Sequence, residues 1–97
     1  MLIESQNTEF KESWRDEYQK WICGFANAQG GILYVGVKDN GEVCGVQDAK
    51  KLMEEIPNKV RDMMGILVDV NLSAYFLRKI HSIMTNCKFV IGKTSWR

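Results

Sequence analysis

Residues 32–46 read Ile32-Leu33-Tyr34-Val35-Gly36-Val37-Lys38-Asp39-Asn40-Gly41-Glu42-Val43-Cys44-Gly45-Val46. The run Ile32 to Val37 is continuously apolar and rich in β-formers, the pattern of a strand covered on both faces. Asn40-Gly41, set between two apolar runs, predicts a hairpin in which both turn residues tolerate positive φ and Val43 to Val46 returns. Upstream, Gly30-Gly31 punctuates the end of a helical pattern carried by Trp14, Tyr18, Trp21, Ile22 and Phe25. Ser13 is the expected N-cap of that helix, with Asp16 and Glu17 in its first turn. Before it, Thr8 to Glu12 alternates as a short strand, with Phe10 inward and Glu9 and Lys11 outward. Downstream, Asp48 opens a second helix through Leu52, Ile56, Val60, Met63 and Met64, which Pro57 is expected to break or kink. Ile66 to Leu72 reads as a further strand. The order is β-α-β-β-α-β, an α+β sandwich with helices packed on a mixed sheet.

The chain has 97 residues, 45% of them hydrophobic and 26% charged, and a mean hydropathy of -0.24. That is the composition of one small globular domain, not of a disordered chain. No apolar run reaches the ~18–20 residues of a membrane helix, and Met1 to Gln6 lacks the basic-then-apolar pattern of a signal peptide. Cys23, Cys44 and Cys87 are widely spaced and odd in number. They form neither a disulfide framework nor a zinc spacing, so reduced thiols and a cytoplasmic location are expected. The net charge of +1 conceals an asymmetry. Residues 1–72 hold 8 Lys/Arg against 12 Asp/Glu, a net of -4; residues 73–97 hold 5 Lys/Arg and no acid.

Few motifs carry chemistry. Gly92-Lys93-Thr94 resembles the end of a phosphate-binding loop, but the glycine required five residues earlier is Cys87. The glycines spell no dinucleotide fingerprint and suit a helix stop, a turn and close packing. His81, the sole histidine, has no nucleophile and acid beside it in sequence. The more informative group is Glu4, Glu9 and Asp39, acids at strand ends that meet if the first strand lies beside the hairpin. Three carboxylates at one sheet edge suit a hard cation, Mg²⁺ or Mn²⁺, and water activation for phosphodiester cleavage. Acids at strand ends are also ordinary solvated residues. Lys11, Arg15 and Lys38 lie near the same segments and suit a phosphate backbone, or equally a plain surface.

Glu4-Ser5-Gln6-Asn7-Thr8-Glu9-Phe10-Lys11, the helix ending Phe25-Ala26-Asn27-Ala28-Gln29-Gly30-Gly31, and Ile32 to Gly41 with Val43-Cys44-Gly45 together resemble the Schlafen AlbA-like domain. The likeness is specific over residues 4–47 and extends to about Leu72. It implies a DNA-binding module of a transcriptional regulator, with Lys11, Arg15 and Lys38 as contacts and DNA favoured over RNA. The family has also been labelled divergent AAA, for which this chain offers no intact Walker motif. Some Schlafen relatives are ribonucleases using two glutamates and an aspartate, which fall here on Glu4, Glu9 and Asp39. Lys38 stands where relatives often carry a second acid, placing positive charge beside that set. A dimerisation or scaffold domain is a third reading, since the body is acidic.

Past Leu72 the family pattern is not recognisable in the sequence. The chain therefore divides into a family-like body, residues 1–72, and a basic tail, residues 73–97, expected to be a frameshifted or truncated end of the same domain. If the tail folds, Tyr75, Leu77 and Ile80 through Met84 suit a helix and Cys87 to Ile91 a last strand. An incompletely covered core favours a homodimer.

Overall fold

The computed structural model describes residues 6–64, 72–78 and 85–92. Glu4, His81 and most of the expected strand Ile66 to Leu72 lie outside those residues. The elements are β1 (Thr8–Lys11), a 3-10 turn (Asp16–Tyr18), α1 (Gln19–Asn27), β2 (Gly31–Val35), α2 (Ala49–Met64), β3 (Leu72–Arg78) and β4 (Thr85–Ile91). The four strands form one mixed sheet in the order β1-β2-β4-β3. β1 runs parallel to β2, with Phe10 beside Tyr34, while β4 is antiparallel to both β2 and β3. The class is α+β, as the sequence predicts.

The helices cover one face of the sheet. Leu33 and Val35 of β2 and Cys87, Phe89 and Ile91 of β4 meet Ile22, Phe25 and Ala26 of α1 and Ala49, Ile56 and Val60 of α2. On the other face Phe10, Tyr34 and Val37 form a second cluster, flanked by Ile32 and Val43. Period-two alternation in β2 thus feeds two cores, which is why its sequence is apolar throughout. No helix among the described residues is long and apolar enough to cross a membrane, and all three cysteines are free thiols.

Five local expectations change. The return arm Val43 to Val46 is not a strand; it makes a single bridge, Val37 to Val43. Both edges of β2 are already taken, by β1 and β4, and the Cys44 and Gly45 N–H groups both turn onto the Gly36 carbonyl at 2.9 Å. The turn itself has three residues, not two. Gly41 N–H donates to the Lys38 carbonyl and Lys38 N–H to the Glu42 carbonyl, with positive φ at Gly41. The element order is consequently β-α-β-α-β-β.

Ser13 caps nothing: the chain enters α1 through the 3-10 turn, whose N-cap is Arg15 in extended conformation without a side-chain bond. Pro57 does not break α2, which runs continuously through it. Proline removes one backbone donor, but Ile56 and Val60 on either side are fully buried and hold the helix to the sheet. Finally, Leu72–Arg78 is a strand, where the sequence suggests a helix that includes Tyr75 and Leu77. Pairing of every residue of β3 with β4 outweighs the helical spacing. The expected strand Cys87 to Ile91 is present within β4.

Candidate functional site

β1 and β2 are pinned together where they end. The Gly36 and Val37 N–H groups both donate to the Lys11 carbonyl, at 2.7 and 3.1 Å. Beyond that point the two chains part. One turns through Glu12 and Ser13 into the 3-10 turn, and the other enters the Lys38–Glu42 turn, which Asn40 braces by accepting the Glu42 N–H at 2.9 Å. Between them lies a cleft of about 290 Å³ whose lining includes Lys11, Glu12, Ser13, Arg15, Tyr18 and Asp39, with Phe10 behind them. It sits at the carboxyl ends of a parallel pair, where loops diverge and backbone polar groups face outward, the usual place for a ligand in such sheets.

Lys11 is the more constrained of the two cations that line the cleft. Its side chain is 22% exposed, and its Nζ stands 3.7 Å from a Glu9 carboxylate oxygen. The same ammonium lies 4.6 Å from the centre of the Tyr18 ring and 5.3 Å from that of Trp21. Arg15 is the opposite case. It is largely exposed and faces Glu17 at 3.6 Å across open solvent, a pairing too weak to hold the guanidinium from another anion. Lys38, also exposed, pairs with Glu42 at 3.9 Å.

The turn that carries Arg15 and Tyr18 is anchored from below. Asp16 accepts hydrogen bonds from Lys59 Nζ of α2 at 2.9 Å and from the Trp14 indole N–H at 3.0 Å. The Lys59 bond, seconded by that of Trp14, holds the Asp16 carboxyl below its ordinary 3.8. The T-shaped packing of Trp14 on Tyr18, ring centres 6.2 Å apart, completes the support. Asp16 therefore orients the turn.

Of the residues nominated from sequence, the structure brings Lys11, Arg15 and Asp39 to one cleft. Lys38 adjoins Asp39 in the turn but is not among the lining residues. Glu9 is half-buried against Lys11 and does not line the cleft either. Among the described residues no three of His, Cys, Asp or Glu come together as a metal-binding group; Glu4, the third acid of the expected set, lies outside those residues. Tyr18 escapes the sequence reading, because its place in the aromatic stripe of α1 reads as core. The signal that distinguishes it is Lys11, a cation facing that stripe from the neighbouring strand.

The same segments that build this cleft, β1, α1 with its glycine stop, β2 and the turn after it, are those that carry the family likeness. The sequence model of the family described as Schlafen, AlbA_2 matches residues 4–85, most of the chain and past Leu72 into β4. The chain belongs to the Schlafen AlbA_2 family.

Proposed function

We propose that this chain binds nucleic acid, DNA in the first instance, by taking backbone phosphates into the cleft at the ends of β1 and β2. The observation that carries this reading is the convergence of Lys11 and Arg15 on one cleft in a chain of a family associated with nucleic-acid binding. Arg15 is the principal contact, since its planar fork suits a phosphate and its position is open. Lys11 supplies fixed positive charge at the floor, and Lys38 a second exposed cation on the facing turn. Asp39 and Glu12 limit how much phosphate the cleft attracts, so the affinity expected is that of non-specific binding, about 10⁻⁴–10⁻⁶ M at physiological salt. Binding is preferred to cleavage because Glu9, one of the carboxylates the nuclease reading needs, already faces Lys11 at 3.7 Å. The resemblance extends the proposal to a DNA-binding module of a transcriptional regulator.

The test is fluorescence anisotropy with a labelled duplex over a range of salt concentrations. Affinity should fall as salt rises, and Arg15→Ala should reduce the slope of log K against log salt by about 0.9, one phosphate contact. Affinity indifferent to salt would overturn the proposal.

A further inference from the structure

A groove of about 450 Å³ lies between Gln6 and Asn7, just ahead of β1, and the face of α1 that carries Trp21, Gly24, Phe25 and Ala28. Its lining includes Trp21 and Phe25, whose ring centres are 6.3 Å apart, together with Gln6 and Gln29. Among the described residues no charged side chain lines it. Its floor is Gly24, an exposed residue in the interior of α1 with nothing within 4 Å of where a Cβ would stand.

Gly24 is the informative residue. Glycine is the poorest helix former after proline, and the packing around position 24 gives no reason for it, in contrast to Gly31, where an added Cβ would meet the Phe25 ring at 2.6 Å. What glycine does at position 24 is keep the groove open down to the helix backbone.

The chemistry of the groove is specific. Trp21, only half-buried, offers ring surface to a flat group, while Phe25 belongs to the core behind it; the carboxamides of Gln6 and Gln29 carry donors and acceptors matching the edge of a base. Its neighbour is the phosphate cleft: the Lys11 ammonium that floors the cleft lies 5.3 Å from the ring of Trp21 in the groove wall. Resting on the nucleic-acid reading above, we propose that this groove receives one unstacked base of a single strand whose phosphates occupy the Lys11–Arg15 cleft. The protein would then prefer single-stranded or locally opened nucleic acid to intact duplex.

The test compares wild type, Gly24→Leu and Arg15→Ala against a labelled twelve-nucleotide single strand, the matching duplex and inorganic polyphosphate. Gly24→Leu fills the groove at a position where the new side chain meets open space, and its thermal midpoint should equal or exceed that of wild type. It should bind the single strand about 5- to 150-fold more weakly, the range for losing one stacked base, and leave polyphosphate binding unchanged. Arg15→Ala should weaken binding of all three probes. Equal single-strand binding by wild type and Gly24→Leu would overturn the base site and leave the phosphate reading standing. Failure of wild type to bind any probe would overturn both. If Gly24→Leu instead abolished self-association in sedimentation velocity while binding the single strand normally, the groove would belong to a second copy of the chain, and the proposal would fall.

Discussion

Gly36→Ala is the substitution that most directly joins the fold to the site. Gly36 closes β2 with φ of +94°, a region where an L-residue costs roughly 1–2 kcal/mol. A Cβ added there would stand 2.9 Å from the Asn86 Cβ and 3.0 Å from the Gly45 carbonyl carbon. Asn86 is 2% exposed and Gly45 contributes backbone, so neither can move aside freely. Overpacking of this kind costs a further ~1–3 kcal/mol. The total, about 2–5 kcal/mol, is a large fraction of the ~5–15 kcal/mol that holds a domain together. In urea unfolding, with a slope near ~1.3 kcal/mol/M, the midpoint should fall by about 1.5–4 M. The loss should have a local signature as well. The Cys44 and Gly45 amides are both held by the Gly36 carbonyl, so their hydrogen exchange should quicken more than that of β4. A variant within about 1 kcal/mol of wild type, with those two amides still protected, would refute the idea that Gly36 suspends the turn from the sheet.

Phe89→Ala, at a fully buried position in the helix-facing core, should cost about 3–5 kcal/mol in thermal or urea unfolding. Cys87 is buried, donates to the Ala49 carbonyl at 3.5 Å, and has its thiol pushed up to about 11 by burial. At pH 8 it should resist a thiol-specific reagent in the native protein and react only on unfolding, after the half-buried Cys44. The Asp16–Lys59 pair gives a pH window. Asp16 is depressed, so its contribution is full above the unfolded carboxylate value and lost as pH falls through the still lower folded one. Lys59 is raised by its bond to Asp16, so its share persists below 10.5 and disappears as pH rises beyond it. The thermal midpoints of wild type and Asp16→Asn should therefore differ between about pH 5 and 9 and converge at both extremes.

Much of this structure is legible in the residues, and the failures share a cause. The aromatic and aliphatic stripe of α1, its stop at Gly30 and the doubly buried β2 follow from local pattern, because each depends on neighbours three, four or two positions away. Val43 to Val46 and Leu72 to Arg78 do not. Whether the first extends β2 depends on β4 having taken that edge, and whether the second is strand or helix depends on a partner strand supplied by a later part of the chain. The site divides the same way. Lys11, Arg15 and Asp39 could be nominated because a parallel pairing of the first two strands brings their ends together. Tyr18 and Gly24 could not, since an aromatic in a helical stripe reads as core, and a glycine inside a helix announces only a cost.

Sheet order also bears on how the domain comes into being. β4 stands between β2 and β3, although it is the last of the described strands along the chain. A ribosome that has released β1, α1, β2, α2 and β3 has delivered every described element except the strand that joins them. Until residues 85–91 emerge, Leu33 and Val35 have no β4 beside them and β3 has no described partner. Such a sheet assembles late and at once, not by adding strands in order of synthesis. Loss of residues 85–91 would accordingly remove an inner strand of the sheet, with consequences for residues already made far upstream.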